Sequence, residues 1–158
     1  MSPATVGDRL DVIETMSTFA WAIDSRDWAA YRAVFTDEID LDYSSYRPEN
    51  IGRVTADWWV ARARRLFPGL DATSHSISNH VVRVDGDVAT CDCYVRADHV
   101  LNDAPGGSVW TIGGVYRDRL VRTGAGWKIT GKRLVVRWAE GNRSVMDLAL
   151  ERATPPAS

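Results

Sequence analysis

Two cysteines in 158 residues are too few for a disulfide scaffold. Their arrangement, Cys91-Asp92-Cys93, lacks the second pair that a zinc motif needs, and two residues on one strand face are too constrained to bridge each other. They are expected to be buried as small hydrophobes. No apolar run approaches the ~18 residues of a membrane-spanning helix. The start, Met1-Ser2-Pro3-Ala4-Thr5-Val6-Gly7-Asp8, has neither the basic residues nor the apolar stretch of a secretory signal, so the expected location is the cytoplasm. Charge of either sign is also scarce in excess: 19 Lys+Arg against 21 Asp+Glu leave a net charge of -2. That gives no electrostatic reason to expect nucleic acid or a membrane surface as partner. Repeats, low-complexity tracts and interior linkers are absent. What remains, 45% hydrophobic and 25% charged, is the composition of one ordinary soluble domain. It is expected over residues 1–158, with frayed ends at about 1–5 and 153–158. A chain of this length buries roughly 70% of its unfolded surface, enough for a core and a pocket without disulfide or structural metal. The one excess is seven tryptophans, a large flat apolar area that suits a small and largely apolar partner.

The first half of the chain has helical periodicity. Val6, Leu10, Ile13, Met16, Ala20 and Ile23 recur at three and four, with Phe19 and Trp21 flanking that stripe, which predicts a helix from Val6 to Asp24. Asp24-Ser25-Arg26-Asp27-Trp28 interrupts it, and Ser25 or Asp27 can cap a second helix to about Phe35. Ile39, Leu41 and Tyr43 then alternate with Asp40 and Asp42, the pattern of a half-buried strand. Thr55 offers a cap for a helix over Ala56 to Phe67, ended by Pro68-Gly69. From Thr73 onward the chain alternates almost throughout. Strands are predicted over Thr73 to Val84, Val88 to Val100, Ser108 to Arg122 and Trp127 to Trp138, with turns at Asp85-Gly86-Asp87 and Gly124-Ala125-Gly126. A short helix near Ser144 to Arg152 closes the chain. Gly113-Gly114 inside a long strand marks a bulge or bend rather than a phosphate loop, since no helix follows. Helices first and a strongly coiled antiparallel sheet afterwards predict an α+β domain with its helices on one sheet face.

Candidate chemistry centres on three histidines, because imidazole alone titrates near neutral pH unperturbed. Strand parity places His75 with Ile77, Asn79 and Val81, a mixed face of the kind that lines pockets. It places His80 with Ser74, Ser76, Ser78 and Val82, a face that suits solvent or a subunit contact. His99 shares its face with Cys91, Cys93, Val95 and Ala97 and is also able to point inward. Asp24 stands at the end of an apolar helix stripe, where it is either a turn residue or a functional carboxylate. Asp24, His75 and His99 show no ligand spacing such as His-x3-His, so no metal is expected. No Gly-x-Ser-x-Gly nucleophile turn is present.

Several segments in order resemble one family. They are Trp21-Ala22-Ile23-Asp24-Ser25-Arg26-Asp27-Trp28, Leu41-Asp42-Tyr43-Ser44-Ser45-Tyr46, Thr73-Ser74-His75, Val95-Arg96-Ala97-Asp98-His99, Gly126-Trp127-Lys128-Ile129 and Arg137-Trp138-Ala139-Glu140. Together they resemble the scytalone dehydratase branch of the SnoaL-like, NTF2-like superfamily, over about residues 8 to 148. The resemblance implies a cone-shaped α+β barrel, also described as cystatin-like, in which a curved antiparallel sheet wraps round the N-terminal helices and a deep apolar pocket opens at one end. It implies Asp24 and His75 as an acid-base dyad. Tyr43 and His99 match residues that hold a water or polarise a carbonyl, and Ile23 stands where a second water-holding tyrosine is found. The segment Gly114 to Tyr116 lies near the position of a pocket asparagine that this chain lacks, which argues against scytalone itself as substrate. Tyr46, Ala97, Trp110 and Tyr116 complete the expected substrate-binding set.

The activity implied is that of a cofactor-independent lyase, a dehydratase acting on a cyclic or polyketide-like, apolar but oxygenated small molecule. Because the superfamily supports several reactions, an isomerase, a cyclase, an epoxide hydrolase, a non-catalytic binding module and a partner like a dioxygenase small subunit stay open. A homotrimer, or a homodimer, is expected through an outward apolar set of Tyr94, Val109, Val115, Leu134, Val136 and Trp138. The tryptophans divide under this reading: Trp21, Trp28 and Trp59 belong to helices that build the pocket wall, Trp110 is expected at its mouth, Trp127 and Trp138 match sheet positions of the family, and Trp58 has no assigned place.

Overall fold

The computed structural model describes residues 5–154. Thr5 opens the first helix, α1 (Val6–Ser25), with a reciprocal cap: its hydroxyl accepts the Asp8 N–H while the Asp8 carboxylate accepts the Thr5 N–H. Asp27 is the cap of α2 (Trp28–Ala33), its carboxylate accepting the Ala30 N–H at 3.0 Å. Strand β1 (Phe35–Asp42) follows, then β2 (Ile51–Thr55), and Thr55 caps α3 (Ala56–Leu66). A 3-10 turn over Phe67–Gly69 leads into β3 (Ala72–Asp85), β4 (Val88–Val100), β5 (Val109–Thr123), β6 (Gly126–Gly141) and α4 (Ser144–Ala153). The six strands form one curved, unclosed sheet in the order β2-β1-β6-β5-β4-β3, antiparallel except where β1 runs parallel to β6. Its concave face wraps α1, which packs mainly on β3, while α3 and α4 close one end. The α+β cone predicted from the sequence is therefore the fold.

Several expectations need correction. The buried residues of α1 are Val12, Met16, Phe19, Ala20, Ala22 and Ile23, whereas Val6 and Leu10 are exposed because the inner face runs through Asp8 and Val12, and Leu10 lies about 200° round the helix from Val12. Phe19 belongs to the core, and Trp21, 79% exposed, builds no pocket wall. Trp28 packs edge-on against Tyr31 outside the cavity. Strand β2 carries no alternation that betrays it. It is a short sheet-edge strand held by backbone pairing to β1, and only Val54 packs on the core, so one inward residue is too few to show a period. Thr5 caps α1 and Ala153 is the last residue of α4; of the segments expected to fray, 1–4 and 155–158 lie outside the described residues.

Parity on β3 fails for a specific reason. Asn79 adopts a left-handed φ of 57°, and the pairing with β4 slips between Ser78 and Val81. One extra residue at such a bulge flips every side chain after it. His80 consequently joins His75 and Val82 on the inner face, half-buried, and Val81 turns outward. Gly113 and Gly114 mark another bulge, on β6, where Gly113 pairs with Trp138 and Gly114 with Val136. A Cβ on Gly113 would fall inside the Trp138 indole, so the glycine lets that ring lie flat on the outer sheet face. The same bulge corrects the outward set: with Arg137 as the extra residue, Leu134 is buried and points into the cone and Val136 packs on the core beside it, while Trp138 alone of the three faces out.

The core contains one pair with no signature in the sequence. The chain has two lysines, and Lys132 on β6 is fully buried with its Nζ 2.6 Å from Oδ2 of the equally buried Asp118 on β5. The ammonium lies between the rings of Tyr116 and Phe19, 3.7 and 3.8 Å from their centroids. Burial pushes the Asp118 carboxyl up against the opposing pull of Lys132. The two rings that hold the ammonium also form part of the wall described next.

Candidate active site

Asp24 occupies the last turn of α1, the end where the helix dipole disfavours a carboxylate. The surroundings reverse that preference. His75 donates its backbone N–H to Asp24 Oδ2 at 2.6 Å, and its ring Nδ1 stands 2.7 Å from Oδ1. The Thr73 hydroxyl donates to the same Oδ1 at 2.9 Å. Burial pushes the Asp24 carboxyl up, but the His75 ring, its charge and backbone N–H, and Thr73 together hold it below the usual carboxylate range. Arg26 fixes the frame. Its left-handed backbone, φ 61°, ends α1 and turns the side chain back, so that one guanidinium nitrogen donates to the carbonyls of Ile23 and Asp24 and to the Thr73 hydroxyl. An ionised Asp24 accepts from His75, so Nδ1 carries the ring proton and Nε2 presents its lone pair toward the cavity.

His99 stands edge-on to His75 with ring centroids 5.7 Å apart, and Phe67 lies 6.1 Å from each of them, stacked on His75 and edge-on to His99. The His99 Nδ1 lies 3.1 Å from the Trp110 carbonyl oxygen. A carbonyl only accepts, so this nitrogen bears the proton and Nε2 is an acceptor. Burial, with the charge of His75 next, lowers the His99 pKa from 6.5 to about 4. Neutral His99 therefore suits accepting from a water or a substrate hydroxyl and does not suit polarising a carbonyl, the other role implied by the resemblance.

The shift has a stability consequence. Between pH 6.5 and about 4 the unfolded chain takes up a proton that folded His99 refuses. Its contribution is thus complete above the unfolded value and is lost as the pH falls, by about 3 kcal/mol at the acid end. Denaturant titrations across that range are expected to show falling stability for the wild type and a flatter profile for His99→Leu. Equal slopes would show that another group is responsible.

These groups open on one cavity of about 280 Å³ between the sheet, α3 and α4. Of the residues expected to bind substrate, Ile23, Tyr43, Tyr46, Ala97, His99 and Tyr116 line it, together with His75. Asp24 stands behind His75 rather than in the wall. Trp110 is the exception: its ring lies outside the lining, and only its backbone carbonyl serves the site, by holding His99. Trp59 alone among the tryptophans faces the cavity, 5.0 Å from Tyr43 by ring centroids. Burial pushes the phenols of Tyr43 and Tyr116 far up, so both remain protonated donors. Sequence reasoning missed Tyr31, Arg47, Arg62 and Arg65 in the lining. Tyr31 had a usable signal, four residues after the Asp27 cap on the inner side of a short helix. The arginines had none, since their approach depends on how α3 meets the loop after β1. No group of three or more His, Cys, Asp or Glu suited to a metal stands among the described residues.

Comparison with known proteins agrees with this architecture. The model of the SnoaL-like domain matches residues 4–133. The uncharacterized protein Rv2910c of Mycobacterium tuberculosis is 28% identical over 129 residues, covering 82% of this chain and 85% of the relative. The crystal structure of Kfla4162 from Kribbella flavida superposes with a TM-score of 0.81 at 31% identity, covering 90% of this chain and 97% of the other. Two more distant structures share the fold. A protein from Novosphingobium aromaticivorans provisionally designated a scytalone dehydratase has a TM-score of 0.72 at 17% identity, covering 88% and 93% of the two chains. The hexachlorocyclohexane dehydrochlorinase LinA-type3 from Novosphingobium barchaimii has 0.71 at 16%, covering 87% and 92%. With the family model spanning most of its length, this chain belongs to the SnoaL-like domain family.

Proposed function

We propose that the cavity is the active site of a cofactor-independent lyase that removes water from a cyclic β-hydroxy carbonyl compound. The observation that carries this reading is the Asp24–His75 pair, 2.7 Å apart at the wall of an otherwise largely apolar cavity. A cavity that only binds has no need for a carboxylate that sets the tautomer of one histidine. His75 Nε2 takes the proton α to the carbonyl, and the electron pair left behind becomes an enolate. Tyr43 or Tyr116 donates to the enolate oxygen, the place where charge grows. The electron pair then returns to form the C=C bond as the β C–O bond breaks. The proton held on His75 passes to the departing hydroxyl, so water leaves and the imidazole is restored. Neutral His99 accepts from the hydroxyl before it departs. Dehydration and dehydrochlorination, named for the two distant structures, are both eliminations that take a proton from carbon, which supports the class rather than the substrate.

Isomerisation would use the same base and the same oxyanion donors but return the proton to carbon. Mass spectrometry of products from a panel of cyclic β-hydroxy ketones separates them: loss of 18 mass units is expected, whereas unchanged mass would establish isomerisation or cyclisation and gain of water would establish hydrolysis.

A further inference from the structure

The outer part of the same cavity carries a charge pattern that elimination chemistry does not require. Arg47, Arg62 and Arg65 line it, against one acidic side chain, Asp147. The local surplus is positive although the whole chain carries a net charge of -2. None of the three guanidinium groups is firmly neutralised. Arg47 Nη2 lies 3.3 Å from Asp147 Oδ1, and both side chains keep much of their contact with water, 36% and 70%. Arg62 meets only a neutral acceptor, Asn50 Oδ1 at 3.2 Å, and rests over the Trp58 ring. Arg65 makes neither hydrogen bond nor ion pair among the described residues. A fourth guanidinium, that of Arg143, lies with that of Arg47 near the Tyr46 ring, each under 6 Å from its centroid.

A structural explanation covers part of this pattern. The last turn of α3 favours cations through the helix dipole, which accounts for Arg64 and Arg65 alike. It does not account for Arg47, on the loop between β1 and β2, nor for the convergence of residues from that loop and α3 on one opening.

We propose that the ligand is amphiphilic: an apolar, hydroxylated body seated against His75, and an anionic oxygen group, a carboxylate or a phosphate, held at the opening by Arg47, Arg62 and Arg65. The position of the body rests on the proposed function, whereas the anionic end rests on the arginines alone. Guanidinium groups suit both oxyanions, because their paired N–H donors match two oxygens of either.

The test uses three probes of one ring system, 6-hydroxy-2-naphthoate, its methyl ester and 2-naphthyl phosphate, titrated calorimetrically against the full chain. At low ionic strength the carboxylate or the phosphate is expected to bind about 5- to 10-fold tighter than the ester, with the margin shrinking as salt is added. The tighter of the two anions identifies which group the opening suits. The double variant Arg62→Ala/Arg65→Ala is expected to lose the margin while binding the ester as before. Arg64→Ala removes the same charge from the same helix outside the cavity lining and is expected to keep it. Equal affinity for acid and ester, failure of both anions to bind, or a margin that survives the double variant would overturn the proposal. The two readings fail separately. A His75→Ala protein that still turns over substrate defeats the elimination and leaves the preference for anions untouched, whereas loss of that preference says nothing against the dyad.

Discussion

His75→Ala is expected to lower kcat/KM about 10² to 10⁴-fold because it removes the proton carrier, with a lower melting temperature besides, since the buried ring also bonds Asp24 and stacks on Phe67. Asp24→Asn is expected to give a loss of similar order by another route. The amide can still accept one hydrogen bond at Oδ1, but its NH2 group can meet Nδ1 as a donor. That contact favours the tautomer with its proton on Nε2, which has no lone pair to take a proton with. KM should change less than kcat in both variants, since neither residue is needed to fill the apolar cavity. The measurement is steady-state kinetics on the substrate identified from the elimination products, with circular dichroism to verify folding. Unchanged turnover in a folded His75→Ala protein would remove the basis of the proposed mechanism.

The largest effect on stability is expected from the buried ion pair. Lys132→Met fills much the same volume but leaves Asp118 with an uncompensated charge in a fully buried position, and breaking such a pair from one side costs about 3–5 kcal/mol. The deficit should shrink at lower pH. Burial already raises the Asp118 pKa, and without Lys132 the folded state has still more to gain from protonating that carboxyl, so the variant gains stability as pH falls through the folded value. Asp118→Leu/Lys132→Met removes both charges together and is expected to recover most or all of the loss. Urea unfolding of the two proteins at neutral and mildly acid pH decides the point. A double variant as unstable as the single one would show that packing around Phe19 and Tyr116, rather than charge, is what Lys132 supplies. The same rings line the cavity, so the single variant is also expected to loosen ligand binding.

Much of the fold was legible because local rules and burial agreed. The turn at Asp85-Gly86-Asp87, the caps at Asp27 and Thr55, and the alternation of β4 from Ala89 to His99 each has a short-range cause. The site was legible to a lesser degree. His75 was found by its parity and Asp24 by its anomalous place at the end of an apolar stripe, but the link between them came from resemblance. Fifty-one positions separate them, and nothing in the spacing requires contact. The failures share a feature. Alternation alone puts His80 on the face opposite to the one it takes, because one left-handed residue, Asn79, resets parity in a way that the pattern cannot reveal. The extra residue Arg137 in β6 hides the inward places of Leu134 and Val136 in the same way, without a left-handed residue.

By itself the sequence determined an α+β chain with helices first, every strand but β2, and the turns between the long strands. Those follow from periodicity, capping and turn chemistry, which act over a few residues. The tertiary structure alone decided which nitrogen of His99 carries its proton, that Lys132 and Asp118 meet in the core, and that three arginines gather at one opening. Each of these depends on a contact between residues far apart in the chain, where the partner rather than the residue type sets the charge, the tautomer and the exposure.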